Sequence, residues 1–170
     1  RMTLGNLCRW YLSLTDIQQK RSYRDIKICL DTVESRLGGN LLISELTPSH
    51  VERFKKKRQS EMSVRKKRPV KPSTINRDLA NLKAMLNRGV TDEVLESNPL
   101  HKISLLEENN VRERLLTFEE FDLLYDACPD YLKPVVMTAF YLPMRQSEIL
   151  QLTWDELDLK NGFIRLGGKR

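Results

Sequence analysis

Apolar residues recur at steps of three and four along much of the chain, and this helical period is the strongest constraint on its fold. Such spacing gathers apolar side chains on one face of an α-helix. Three stretches carry it clearly: Leu4, Leu7, Tyr11 and Leu14; Tyr23, Ile26, Leu30, Val33 and Leu37; and Ile75, Leu79, Leu82 and Leu86. We therefore predict a mainly α-helical fold.

Helix-ending and helix-starting residues set the expected boundaries. Gly38 is predicted to end the second helix, and Gly89 to end a helix over about 73–88. Thr47 is a good N-cap and Pro48 a good first-turn residue, so another helix is predicted to begin there.

The pattern changes from residue 105 onwards. Residues 105–113 are mostly polar and predict a linker, while Thr117-x-x-Glu120 is a capping box that opens a further helix. Around Asn161-Gly162 an alternating pattern predicts a β-hairpin. The predicted organisation is a helical domain over 1–104, a linker over 105–113 and a second domain over 114–170.

Positive charge is concentrated in one window. The 170 residues carry a net charge of +6, but Arg53 to Arg77 holds eleven basic residues and the single acid Glu61, a net charge of +10 that leaves −4 elsewhere. Such self-repelling charge favours a polyanionic partner, although a basic run can also be a solvated surface. The candidate DNA-binding residues here are Lys55, Lys56, Lys57, Arg58, Arg65, Lys66, Lys67, Arg68 and Lys71.

Two further groups are candidates for contact with DNA. Lys20, Arg21, Ser22 and Arg24 cluster where the second helix begins, so a phosphate could bind there; a solvated helix end is the alternative. Thr74, Asn76 and Arg77 are expected to face outward from the first turns of the helix over 73–88. Amide and guanidinium groups in that position suit the major groove of duplex DNA.

The cysteines and the hydropathy narrow the class of protein. Cys8, Cys29 and Cys128 lie far apart with no Cys-x-x-Cys pair, which suits buried thiols in a reducing cytoplasm, and neither a disulfide nor a metal site is expected. No signal peptide and no membrane-spanning apolar run is apparent.

Arg145 stands at the junction between an apolar helical segment and a second amphipathic turn. Packed walls on both sides could hold its guanidinium while the donors remain open to a phosphate. The alternative is a helix-start arginine that pairs with Glu148 at i+3.

The wider pattern resembles the tyrosine recombinase (phage integrase) family. Arg145-x-x-Glu-Ile-Leu-x-Leu-x-Trp carries the resemblance, together with Lys71-Pro-Ser-Thr-Ile-Asn-Arg and Asn98-Pro99-Leu100 upstream. The resemblance implies a helical SAM-like core-binding domain, followed by the helical start and first β-hairpin of an α+β integrase catalytic domain. The implied partner is double-stranded DNA, contacted by the helix over 73–88, in a bacterial or phage-infected cell.

The resemblance also implies a chemistry without metal or nucleotide cofactor. A tyrosine attacks a DNA phosphate, forms a covalent 3′-phosphotyrosine and releases a 5′-hydroxyl. Arg145 matches the first catalytic arginine and Lys169 the general acid of the hairpin, while Glu148 matches an acidic residue that orients the arginine. The parent enzyme is expected to assemble as a tetramer on DNA, and the free chain to be monomeric.

Three features depart from the family pattern. Leu142-Pro143 replaces the usual Thr-Gly before the arginine, and His50-x-x-Arg53 lies too early to be the catalytic His-x-x-Arg. The chain reaches Arg170 before that motif or a nucleophilic tyrosine, so we expect a fragment that is inactive alone. The alternatives are a non-catalytic helical DNA-binding regulator and a helical protein-interaction module.

Overall fold

The computed structural model of the chain describes residues 1–63, 67–109 and 114–167. The chain divides into two compact units, Arg1–Asn110 and Val111–Arg170. Both units are helical, and the second also contains a two-stranded hairpin, which confirms the mainly α-helical prediction. No helix in the described ranges is long and apolar enough to cross a membrane.

Unit 1 is a bundle of helices around one core. Its helices are α1 (Leu4–Ser13), α2 (Thr15–Gln18), α3 (Tyr23–Leu37), α4 (Pro48–Ser60) and α5 (Pro72–Thr91), with a 3₁₀ turn at Ile43–Glu45. α5 packs against α1, α3 and α4. The predicted apolar stripes form the core, and Leu7, Leu30 and Leu82 are each fully buried in it.

The segment after α5 returns over the surface of the bundle. Gly89 does not end α5 as predicted, because the helix continues to Thr91 and the Gly89 carbonyl accepts hydrogen bonds from the backbone amides of Val94 and Leu95. A Cβ atom at Gly89 would lie 2.9 Å from Leu95 Cδ1, so the glycine permits this close approach. Residues 92–96 form turns and bends.

Unit 2 contains α6 (Phe118–Ala127), α7 (Lys133–Tyr141) and α8 (Gln146–Leu150), then a 3₁₀ turn at Trp154–Glu156. The predicted capping box is confirmed, because Thr117 Oγ1 accepts from the Glu120 amide at 3.2 Å and a Glu120 carboxylate oxygen accepts from the Thr117 amide at 3.2 Å. Phe121 stacks on Phe140, with 3.9 Å between ring centroids, and joins α6 to α7.

The predicted hairpin is also confirmed. β1 (Leu157–Asp158) pairs antiparallel with β2 (Phe163–Ile164), with Leu157 opposite Ile164. Gly162 has a φ of 71°, a left-handed conformation that glycine adopts without a steric penalty, and Asp158 accepts a hydrogen bond from the Asn161 backbone amide at 3.1 Å.

A network of charged side chains joins α3, α4 and α5. Glu61 follows α4 and accepts two hydrogen bonds from Arg36 of α3, both at 2.8 Å, and one from Arg58 of α4 at 2.7 Å. Arg58 also donates to Asp78 of α5 at 3.1 Å. The network therefore fixes the end of α4 against the two neighbouring helices.

The pKa values of the two carboxylates in this network, Glu61 and Asp78, shift in opposite directions. Hydrogen bonds from Arg36, and then from Arg58, lower the pKa of Glu61 from 4.5 to about 2. Burial raises the pKa of Asp78 above its ordinary value, and pairing with Arg58 only partly offsets that effect. Glu61 is therefore the member whose ionisation stabilises the fold.

Replacing Glu61 by Gln tests this contribution. A folded-state pKa of about 2 means that stabilisation by Glu61 is complete above its unfolded pKa near 4.5, and is lost as the pH falls towards 2. Glu61→Gln should lower the free energy of unfolding by about 1–3 kcal/mol at pH 7 and flatten its pH dependence between these values. Urea denaturation followed by circular dichroism measures both effects.

Glu96→Gln is the matched control, because Glu96 is exposed and forms no ion pair within the described ranges. It should leave stability unchanged. Parallel pH profiles for the parent chain and Glu61→Gln would contradict the role assigned to Glu61.

Candidate nucleic-acid interface and phosphate site

The basic window presents most of its described cations to solvent. Arg53, Lys56 and Lys57 project from α4, Lys67, Arg68 and Lys71 precede α5, and Arg77 lies in the early turns of α5; all seven are exposed. None of the seven forms a salt bridge within the described part of the chain. Arg65 and Lys66 lie outside the described residues.

Two predicted DNA-binding residues of α4 instead face the protein. Lys55 is 3% exposed and its Nζ atom lies 2.7 Å from Glu52 Oε1. Lys55 is buried because it follows Val51 by one helical turn, on the side of α4 that packs into the core. Arg58 is held by Glu61 and Asp78, as described above. Both side chains are therefore engaged within unit 1.

Asn76 also differs from the expectation that it faces outward. It is 5% exposed, and its amide binds the backbone of Leu106 in both directions at 2.8 Å. Thr74 is half-buried on the same stretch of α5, whereas Arg77 is exposed. Of Thr74, Asn76 and Arg77, only Arg77 is exposed.

The cluster at the start of α3 lies on the surface of unit 1. Lys20, Arg21, Ser22 and Arg24 are all exposed. Ser22 is the N-cap of α3, and its side chain makes no capping hydrogen bond. Three cations therefore lie at the start of α3, whose first turn also holds Asp25, and the Tyr23 amide already donates to the Lys20 carbonyl at 2.9 Å.

Arg145 is the N-cap of α8. Its Nη1 atom lies 2.8 Å from Glu148 Oε1, and its backbone amide donates to Glu148 Oε2 at 2.7 Å. The side chain is 84% exposed, so no packed walls enclose it, and the alternative pairing with Glu148 at i+3 is the one observed. The exposed guanidinium retains donor capacity beyond this contact.

The junction before Arg145 has an irregular backbone. α7 ends at Tyr141, and the Met144 amide donates to the Leu142 carbonyl at 2.8 Å. Pro143 lies two residues before the N-cap, so it is not a first-turn residue of α8. Lys169, the predicted general acid, lies outside the described residues.

Other chemistry-bearing residues have structural partners. His50 Nδ1 lies 2.8 Å from Thr47 Oγ1 at the start of α4. Burial raises the pKa of Cys8 to about 12 and that of Cys29 to about 11, so neither thiol is reactive near neutral pH. Within the described ranges, no group of three or more His, Cys, Asp or Glu residues could hold a metal ion.

The sequence analysis did not predict that the Asn76 amide binds the backbone of Leu106, or that Lys55 is buried. Asn76 had no local signal that distinguishes it from an outward polar residue, whereas Lys55 had one, because it follows the buried Val51 by one helical turn. The charge network had a weak signal, because Glu61 is the single acid inside the basic window and follows Arg58 by three residues.

Known proteins resemble the chain over most of its length. The "Putative defective protein IntQ" of Escherichia coli strain K12 is 27% identical over 173 residues, which cover 97% of this chain and 44% of that protein. The shufflon-specific DNA recombinase of Escherichia coli is 27% identical over 128 residues, covering 73% of this chain and 33% of its own length. The chain thus spans less than half the length of these relatives.

No solved structure matches the chain significantly. A protein family, however, matches most of it. The family described as "Phage integrase, N-terminal domain" matches residues 1–107, which is more than half of the chain and almost all of unit 1. The predicted resemblance is therefore confirmed, and the chain belongs to the phage integrase family of tyrosine recombinases.

Proposed function

We propose that the chain is the DNA-binding part of a site-specific recombinase that cuts and rejoins DNA through a covalent 3′-phosphotyrosine. The observation that carries the proposal is the set of exposed cations at the end of α4, before α5 and on its first turns. Cations without protein partners can release the counterions of DNA when they contact its phosphates. Membership of the phage integrase family supports the same partner.

Within unit 1, the exposed cations have different proposed roles. Lys56, Lys57, Lys67, Arg68 and Lys71 contact phosphates, which fixes position on the duplex without reading its sequence. Arg77 reads a base edge, since an arginine on a helix can donate two hydrogen bonds to guanine. Lys20, Arg21, Ser22 and Arg24 form a second phosphate contact at the start of α3.

Each predicted domain has a separate role in the proposed function. Residues 1–104 form the core-type DNA-binding domain, and residues 114–170 contribute the N-terminal part of the catalytic domain. The free chain is a monomer, and the complete recombinase assembles as a tetramer on DNA. No metal or nucleotide cofactor takes part in the proposed reaction.

The proposed chemistry assigns one task to each residue that matches the family pattern. The tyrosine oxygen of the complete enzyme bonds to phosphorus, and the bond from phosphorus to the 5′ oxygen breaks. Arg145 stabilises the charge on the non-bridging oxygens, oriented by Glu148, whose carboxylate already contacts both its guanidinium and its backbone amide. Lys169 gives a proton to the leaving 5′ oxygen.

DNA binding by the chain is the first test. Affinity for duplex DNA should fall linearly with salt on logarithmic axes, with a slope of about −0.9 for each phosphate contacted and about four to eight contacts. Lys56→Glu/Lys57→Glu should weaken binding to every sequence and reduce the slope by about two. Fluorescence anisotropy titrations at several salt concentrations measure both quantities.

Lys102→Glu and Lys55→Ala are the controls for this test. Lys102 is exposed outside the basic window, so its reversal should have a smaller effect on affinity and leave the slope unchanged. Lys55→Ala should lower stability but not the salt slope, because Lys55 is buried. Absent binding at low salt, or a salt-independent affinity, would favour the protein-interaction alternative.

Cleavage in the complete recombinase tests the chemistry. Arg145→Lys keeps the charge but loses the planar pair of donors, so covalent trapping on a nicked substrate should slow by roughly 10²–10³-fold with little change in binding. A 5′-bridging sulfur, which leaves without protonation, should rescue Lys169→Ala but not Arg145→Lys.

Arg165→Lys is the matched control, because Arg165 is also exposed and paired, with Asp158. Its cleavage rate should equal that of the parent. An unchanged rate in Arg145→Lys would mean that Arg145 serves only to start α8. Binding without any cleavage would favour the non-catalytic regulator.

A further inference from the structure

The amide of Asn76 makes a three-point contact with the segment that leaves unit 1. Its Nδ2 group donates to the Leu106 carbonyl at 2.8 Å and to Glu108 Oε1 at 2.5 Å, and its Oδ1 atom accepts from the Leu106 amide at 2.8 Å. Every polar hydrogen and the oxygen of this side chain is therefore used. We call this set of contacts the Asn76 clamp.

The clamp requires asparagine in particular. The partner of Leu106 must accept from its backbone amide and donate to its backbone carbonyl. This requires an acceptor and a donor side by side on a short side chain. Aspartate would lose both donors and place a second carboxylate beside Glu108. Because Asn76 is 5% exposed, its loss would leave the partly buried Leu106 amide and carbonyl without their protein partner.

The clamp is one of several attachments that hold the segment after α5. At the other end, Asn98 donates to Asn87 of α5 at 2.6 Å, and Leu100 is fully buried. Ile103 and Leu106 pack against the core between these points. The first residues of the predicted linker, 105–113, therefore belong to unit 1, and the chain is held there as far as Glu108.

We propose that Asn76 is a positioning residue that sets where the chain leaves unit 1 for unit 2. Six residue steps separate Glu108 from Arg114, which forms an ion pair with Glu120 in unit 2, and six steps span at most about 20 Å. Without the clamp, the next packed residue is Leu106, and eight steps at the same extension span about 26 Å. The clamp thus shortens the maximum reach of the connection by about a quarter.

This inference rests on the proposed function for its purpose. A short connection keeps the catalytic unit at a high effective concentration near the DNA that unit 1 holds. Because Asn76 lies on the same helix as Arg77, the helix proposed to read DNA also carries the attachment of the connection. Asn76 acts through the position of the chain and does not itself contact DNA.

Hydrogen exchange of the whole 170-residue chain tests the clamp. In Asn76→Ala, exchange of the Leu106 amide and of peptides within 100–109 should accelerate by about tenfold or more, while exchange in α1 and α3 stays unchanged. Asn81→Ala is the matched control, since among the described residues the Asn81 amide bonds only the Arg77 carbonyl of its own helix, at 2.9 Å. It should leave peptides 100–109 protected.

A distance measurement separates positioning from a purely structural role. Dyes on Cys128 of unit 2 and on Ser49→Cys of unit 1 report the distribution of separations, and the buried Cys8 and Cys29 should remain unlabelled. Asn76→Ala should extend that distribution to longer distances, and Asn81→Ala should not. An unchanged distribution would overturn the positioning role.

Further outcomes are decisive in the same experiments. If Asn76→Ala does not fold, the nearly isosteric Asn76→Asp should show an intermediate acceleration of hydrogen exchange at residues 100–109. Exchange at the parental rate in that variant would overturn the clamp.

Asn76→Ala should bind DNA with parental affinity. Weakened binding with unchanged exchange at 100–109 would make Asn76 a DNA contact instead. A parent chain that binds no DNA would refute the proposed function but leave the exchange result valid.

Discussion

The basic surface of unit 1 depends on the ion pairs that the Glu61 carboxylate forms with Arg36 and Arg58. It receives three hydrogen bonds from Arg36 and Arg58, and Arg58 reaches on to Asp78. The cost of placing so many like charges between Arg53 and Arg77 is reduced because Arg58 pairs with Glu61 and Asp78, and Lys55 pairs with Glu52. The remaining cations can then face outward from a fixed framework, since the end of α4 and the start of α5 are held together.

The helices of unit 1 could be predicted because their signals are local. Apolar spacing identified the buried faces of α1, α3 and α5, and Thr47 and Thr117 marked helix starts through side-chain chemistry that acts within one turn. The hairpin was predictable for the same reason, because the Asn161-Gly162 turn and the alternation that follows it lie within a few residues.

The orientation of Asn76 and the end of α5 could not be predicted, because distant residues determine them. Asn76 follows Ile75 at the edge of the apolar stripe, and its amide binds the backbone of Leu106, thirty residues later. Gly89 resembles a helix end in isolation, yet Leu95 packs against it and the helix continues. Lys55, by contrast, had a local signal, because it follows the buried Val51 by one helical turn.

The account's central claim is that the outward cations of unit 1, and not the inward ones, meet the phosphates of DNA. Lysine footprinting measures this directly, by comparing the rate of chemical acetylation at each lysine in free and DNA-bound chain. The account predicts that Lys56, Lys57 and Lys71 lose reactivity on binding, whereas buried Lys55 is unreactive in both states. Equal acetylation of Lys56 and Lys57 with and without saturating DNA would contradict it.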